Sequence, residues 1–360
     1  MTFLFEKSTS RPRFRVARPT QLICGLLLAA ILTIAGFSIR TSFAQDAVVL
    51  VGSGSSVPAP LYNRWATEYN KRNPSLQFRY LAIGTSEGIK QISKGSGDFG
   101  AGEVPLTTSE RAEANLVELP SVMIAIVPYY HVPGPHQDLR FTGELLAGIF
   151  LGDVKKWNDP QIAKLNPNAT LPDLPIKVVY RPAGKGTNYV FTDFLSKTSS
   201  KFRTHIGTSA SPKWPVGEPA ERSSDMADKI KSEIGAIGYG ELQYAIKGDI
   251  AYGRVQNADG KFVKASPETI AAACKSVEAP AWDKFAAPLT NVSGADAYPI
   301  TSFTWLYVRT GISDVRRASG LADLLNWIYT DGQQLAGQEG YSELPQQLLA
   351  KVKAKAVSLK

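Results

Sequence analysis

Three times in this chain an apolar, strand-like run gives way to a turn of glycines and hydroxyl-bearing residues, and then to a helical pattern. The turns are Gly52-Ser53-Gly54-Ser55-Ser56, Gly84-Thr85-Ser86 and Gly184-Lys185-Gly186-Thr187. Strands that feed helices in this way return to the same sheet through crossovers, which restricts the chain to an α/β architecture. The first N–H groups of each helix have no intrahelical partner, so each turn offers donors to an anion. A single turn of this kind is an ordinary tight connection. Three of them predict one shared anion, and Arg181, just before the third, adds a forked and permanently charged donor.

The rest of the pattern fits. Residues 47–52, "AVVLVG", read as a continuous apolar strand ending in glycine. The next segment reads as a helix, with Pro58 and Pro60 in its first turn and Leu61, Trp65 and Tyr69 along one face. Ile89 and Ile92 give a short second helix its buried side. Residues 121–130, "SVMIAIVPYY", are long enough to pass as a buried strand between two domains, and Tyr129-Tyr130 lies near the expected hinge. A second strand–helix series follows, then a strand over 298–308 and two terminal helices. Trp65, Trp157, Trp214, Trp305 and Trp327 are expected to pack the cores, and Asp98 to serve a turn or cap.

Residues 1–44 stand apart. Arg11, Arg13, Arg15 and Arg18 precede an apolar run over 22–37, and Ser42-Phe43-Ala44 has the small-x-small form of a cleavage site. This is the layout of a cleavable secretory signal peptide, with an uncleaved anchor as the alternative. The segment holds six basic residues and one acidic, so its removal lowers the net charge from +8 to +3. No basic run then argues for nucleic acid. Only Cys274 remains of two cysteines, which excludes an intrachain disulfide in an exported chain; it reads as a small packing residue. His131, His136 and His205 lack metal-ligand spacing, and no metal or other cofactor is expected. The remaining length suits two domains.

Nucleotide motifs fail. If Lys185 were a Walker lysine, the upstream glycine would have to stand where Tyr180 is, and Gly52-x-Gly54 is followed by Val57 in place of the third dinucleotide glycine. Gly84-x-Ser86-x-Gly88 does match the nucleophile elbow of serine hydrolases. That reading also needs an acid, a histidine base and an oxyanion segment; His131 and His136 flank the proline-rich "HVPGPH", and no HGGG-like stretch precedes Ser86. Ser86 is therefore expected to hold a ligand, with hydrolysis a minor alternative.

The stretches "GSGSSVPAPLYNRWATEY", "IGTSEGIKQISKGSGDFGAGEVPL", "IFLGDVKKWNDPQIAKLNP", "RPAGKGTNYVFTDFLSK", "GAIGYGELQYA" and "YPITSFTWLYV" occur in that order. In them the chain closely resembles the family of periplasmic phosphate-binding proteins of high-affinity phosphate ABC transporters, over about residues 49–348. The resemblance implies a two-domain Venus-flytrap fold, each domain a mixed sheet flanked by helices, with phosphate in the cleft. It implies one domain from residues 45–122 plus 290–360 and another from 123–289. It also implies a periplasmic, monomeric protein that binds without catalysis and delivers to a membrane permease with its ATPase.

Position by position, the resemblance makes Ser56 and Val57 the first phosphate loop, where the family has Thr-Phe. Thr85 and the neighbouring Ser86 belong to the second loop, and Glu103 stands for an aspartate that accepts the ligand's proton. Arg181 is the phosphate-binding arginine, and Lys185, Gly186 and Thr187 form the last loop. The departures are equally specific. The carboxylate that partners the family's arginine is Ala183 here, a loop serine is Lys185, a loop glycine is Glu87, and a glycine-rich stretch reads "ERSSDM". These substitutions predict a new Lys185–Glu87 pair across the cleft. They also keep open a different oxyanion or a small phosphorylated ligand.

Overall fold

The computed structural model describes residues 47–134, 138–277, 285 and 287–359. The signal-peptide expectation and His136 lie outside these residues. No helix among the described residues is long and apolar enough to cross a membrane.

Eleven strands are described: β1 (Val48–Gly54), β2 (Leu76–Ala82), β3 (Phe99–Gly102), β4 (Leu116–Tyr130), β5 (Arg140–Phe141), β6 (Lys177–Tyr180), β7 (Glu218–Pro219), β8 (Ala236–Glu241), β9 (Arg254–Gln256), β10 (Phe262–Val263) and β11 (Thr301–Arg309). Eight form one sheet in the order β2-β1-β3-β11-β4-β8-β6-β7, and the other three a small sheet, β10-β9-β5. β1 runs parallel to β2 and β3, and β6 runs parallel to β7 and β8. The two parallel groups are joined through antiparallel pairs of β11 with β3 and β4, and of β4 with β8.

β4 is the long buried strand expected over 121–130, but it begins earlier, at Leu116. It pairs with β11 as far as Ala125 and with β8 from Ile126 onward, so one strand passes from the first parallel group to the second. Only Val117 along it is less than fully buried. A strand buried on both faces has no polar side to show, which is why the sequence reads as one apolar run.

The helices follow their sequence signals. Ala59–Arg72 opens on proline, closes on Lys71 and Arg72, and buries Leu61, Tyr62, Trp65 and Tyr69; proline suits the first turn, and cations suit the negative end of the helix dipole. The Trp65 indole N–H donates to the Gly332 carbonyl at 2.7 Å, and that of Trp157 to Gly235 at 3.0 Å, so these buried indoles satisfy their one polar atom. Trp305 is buried, whereas Trp214 and Trp327 pack on the core from its margin. Cys274 is buried on the helix Pro267–Lys275. Asp98 departs from the expected turn or cap role. It accepts the Val51 N–H at 2.7 Å and pairs with Arg317 at 2.9 Å, tying β1 to the helix Val315–Ile328.

Candidate functional site

The carboxyl ends of parallel strands are where α/β sheets present ligand groups, because loops there diverge and helix N-termini point inward. Here Ser55 and Ser56 follow β1, Thr85 follows β2, Glu103 follows β3, Arg181 follows β6, and Glu241 closes β8. Groups from both parallel halves of the sheet thus converge.

Arg181 is 1 % exposed. Its Nη1 donates to Ser223 Oγ at 3.0 Å, and its Nη2 to Ser56 Oγ at 3.2 Å and the Glu221 carbonyl at 3.0 Å. All of these partners are neutral, and Nε is buried without one. The loop that carries the arginine is fixed from behind. Arg181 N–H donates to the Tyr239 hydroxyl at 3.1 Å, and the Asn188 amide donates to the carbonyls of Arg181 at 3.1 Å and Pro182 at 2.7 Å.

Glu103 is fully buried. It accepts from Thr85 Oγ1 at 3.1 Å on one oxygen and from Thr304 Oγ1 at 3.0 Å on the other, and the Ser55 hydroxyl also bonds it. Burial raises its carboxyl to about 7; these three hydroxyls oppose that shift, and the charge of Glu241 adds to it. A carboxyl poised in this way can accept or hold a proton near neutrality.

Across from it, the Gly186 N–H donates to Thr85 Oγ1 at 3.1 Å, and the Ser86 N–H donates to the Gly184 carbonyl at 3.1 Å. Gly186 opens a helix, Gly186–Thr198, whose start has no side-chain cap, so its positive end faces the same place as Arg181 and Glu103. A Cβ on Gly186 would lie 2.0 Å from Glu103 Oε2, which is why only glycine fits.

Hydrogen bonds thus join Thr85, Glu103 and Gly186 in one set, and Ser56, Arg181 and Thr187 in another through Ser223 and Glu241. Val57 is buried, and its N–H donates to Ser55 Oγ at 3.1 Å. Ser86 is exposed and contributes only backbone. No hydrogen bond joins it to a described histidine, since His205 bonds the Lys201 carbonyl and His131 Nδ1 is buried without a partner.

The Gly84-x-Ser86-x-Gly88 spelling has a packing cause. Gly84 has φ +97° at the helix N-cap, and a Cβ on Gly88 would meet Gly54 Cα at 2.5 Å.

The predicted Lys185–Glu87 pair does not form. Lys185 pairs with Glu221, whereas Glu87 turns back along its own helix to Lys90 at 3.4 Å and Gln91 at 3.3 Å. Glu87 lies one turn before those residues on the same helix face, within reach of both.

Sequence reasoning passed over Thr304 and Glu241, and gave no individual role to Ser55 in the first turn or to Glu221 and Ser223 in "ERSSDM". Glu241 is fully buried and accepts on Oε1 from Thr187 Oγ1 at 3.2 Å and Ser223 Oγ at 3.0 Å. A signal for it exists. Gly100-Ala101-Gly102-Glu103 and Gly238-Tyr239-Gly240-Glu241 end β3 and β8 with the same spelling, one in each parallel half of the sheet.

A mixed α/β fold thus brings hydroxyls, one buried guanidinium and two buried carboxylates together at converging strand ends. The chain belongs to the PBP superfamily, whose domain model matches residues 41–332. It is 35 % identical over 311 residues to the phosphate-binding protein PstS of Xylella fastidiosa, covering 85 % of this chain and 84 % of that one. It is 33 % identical to PstS of Pasteurella multocida, with 86 % and 90 % covered. Among solved structures, an ABC-type phosphate transport receptor from Vibrio cholerae shares the fold at a TM-score of 0.56 and 19 % identity, covering 82 % of this chain and all of that one. A phosphate-binding protein from Stenotrophomonas maltophilia does so at 0.64 and 18 %, covering 86 % and 94 %.

Proposed function

We propose that this chain captures inorganic phosphate between two lobes and delivers it to an ABC permease and its ATPase outside the cytoplasmic membrane. Residues 45–122 with 290–360 make one lobe and 123–289 the other, and β4 and β11 run near the crossover. The leader over residues 1–44 directs export, and the mature protein acts as a monomer by binding alone. The observation that carries this reading is Arg181: a guanidinium removed from water, with an unpartnered Nε and only neutral partners, beside an uncapped helix start. A buried cation with no carboxylate in direct contact is costly, and an anion that reaches it is bound strongly. The names of the relatives supply the ligand. Ser56, Thr85, Arg181, Gly186 and Thr187 would donate to phosphate oxygens, with Val57 and Ser86 shaping their loops and Lys185 at the rim. Glu103 would accept the ligand's proton, which sulfate lacks near neutrality.

Calorimetry on the mature protein, stripped of ligand by unfolding and refolding, tests this. Phosphate is expected to titrate one site with sulfate silent. Heat from sulfate and none from phosphate would assign the site to another oxyanion.

A further inference from the structure

Glu241 stands in the site without a role in the reading above. It is fully buried, and its Oε1 accepts the hydroxyl protons of Thr187 and Ser223. Ser223 in turn accepts from Arg181 Nη1, so a two-bond path connects the carboxylate to the anion-binding guanidinium. Position 183, two residues beyond the arginine, is alanine and cannot supply a counter-charge. Glu241 approaches the arginine from another strand, one serine away and without touching it.

Its second oxygen is the informative atom. Oε2 is buried and has no hydrogen-bond partner among the described residues. A carboxylate oxygen out of water without a donor is unfavourable, and a protonated ligand oxygen is the kind of donor that relieves it. The charge of Glu241 is also felt at Glu103, where it helps hold that carboxyl up. The two carboxylates, one from each parallel half of the sheet, are therefore near enough for one charge to act on the other, and Arg181 lies one serine from Glu241.

We propose that Glu241 is a second specificity-determining carboxylate of the anion site, accepting a proton-bearing oxygen of phosphate beside Glu103 and repelling oxyanions that carry no proton. The proposal rests on the phosphate reading. With two acceptors set against one fully buried guanidinium, a fully deprotonated tetrahedral dianion meets two repulsive contacts, whereas phosphate with one or two protons meets none or one. Selection then has two parts, and neither carboxylate alone accounts for it.

The test is calorimetry with phosphate and sulfate on wild type, Glu241→Gln and Glu103→Gln, with thermal melts to confirm folding. Glu241→Gln keeps the shape and removes the charge, and its sulfate-to-phosphate affinity ratio is expected to rise by about tenfold or more. Glu103→Gln retains Glu241 and is expected still to prefer phosphate by at least about tenfold. This second variant decides the matter even where Glu241→Gln does not fold. A folded Glu241→Gln with the wild-type ratio, or a Glu103→Gln that binds both anions alike, overturns the proposal and leaves phosphate capture standing. Wild-type protein that binds no phosphate overturns both.

Discussion

Glu103 carries a consequence for stability as well as for selection. Burial raises its carboxyl from an ordinary 4.5 to about 7 in the folded chain. The folded chain therefore keeps a proton that the unfolded chain releases, so stability falls as pH rises from about 4.5 to about 7 and the loss is complete above that. Glu103→Gln is expected to match wild type below about pH 4.5 and to be more stable by up to about 3 kcal/mol above pH 7. Urea melts at both ends of the range check this; an equal difference at both would show that the carboxyl does not titrate as described.

Glu87 makes a contrasting case. Its contacts are one exposed ion pair with Lys90 and one hydrogen bond to Gln91, and exposed pairs of this kind contribute about 0–1 kcal/mol. Glu87→Ala is expected to leave phosphate affinity within about twofold of wild type by calorimetry. A large loss would restore the cross-cleft pair that the geometry rejects.

Among the elements, the helix Thr85–Ser93 shows what the sequence could reveal and what it could not. Its start, its glycine and its inward Ile92 were legible from local pattern alone. That Gly88 is a packing requirement was not, because the atoms it meets, Gly54 Cα at 2.5 Å and the Ser53 carbonyl oxygen at 2.8 Å, belong to the end of β1. Gly88→Ala is expected to push this helix off the strand, destabilise the fold by about 1–3 kcal/mol and weaken phosphate binding through displacement of Thr85. A melt with unchanged stability would contradict this. The same limit hid Glu241. Long-range partners such as Ser223 and Arg181, 42 positions apart, carry no spacing signal, whereas Pro58 at a helix start or an apolar β4 does. The Lys185–Glu221 pair was missed for that reason too: both positions were noted as unusual, but nothing local said they would meet.

At the scale of the molecule, the bonds from Arg181 to Ser56, from Gly186 to Thr85 and from Ser86 to Gly184 all join one parallel half of the sheet to the other. A ligand that contacts both halves favours the form in which they meet, by the difference between its contacts in the two forms. Phosphate at about a hundred times its Kd is expected to add about 2.7 kcal/mol to unfolding stability, read as a rise in Tm. The most direct test of the whole account is a crystal structure of the mature protein grown with phosphate. It is expected to show one tetrahedral anion held by the Arg181 guanidinium, the N-terminus of the helix Gly186–Thr198 and Thr85, with oxygens against Glu103 and Glu241. Phosphate bound elsewhere on the chain, or an Arg181 fork that touches no anion at saturating phosphate, would contradict it.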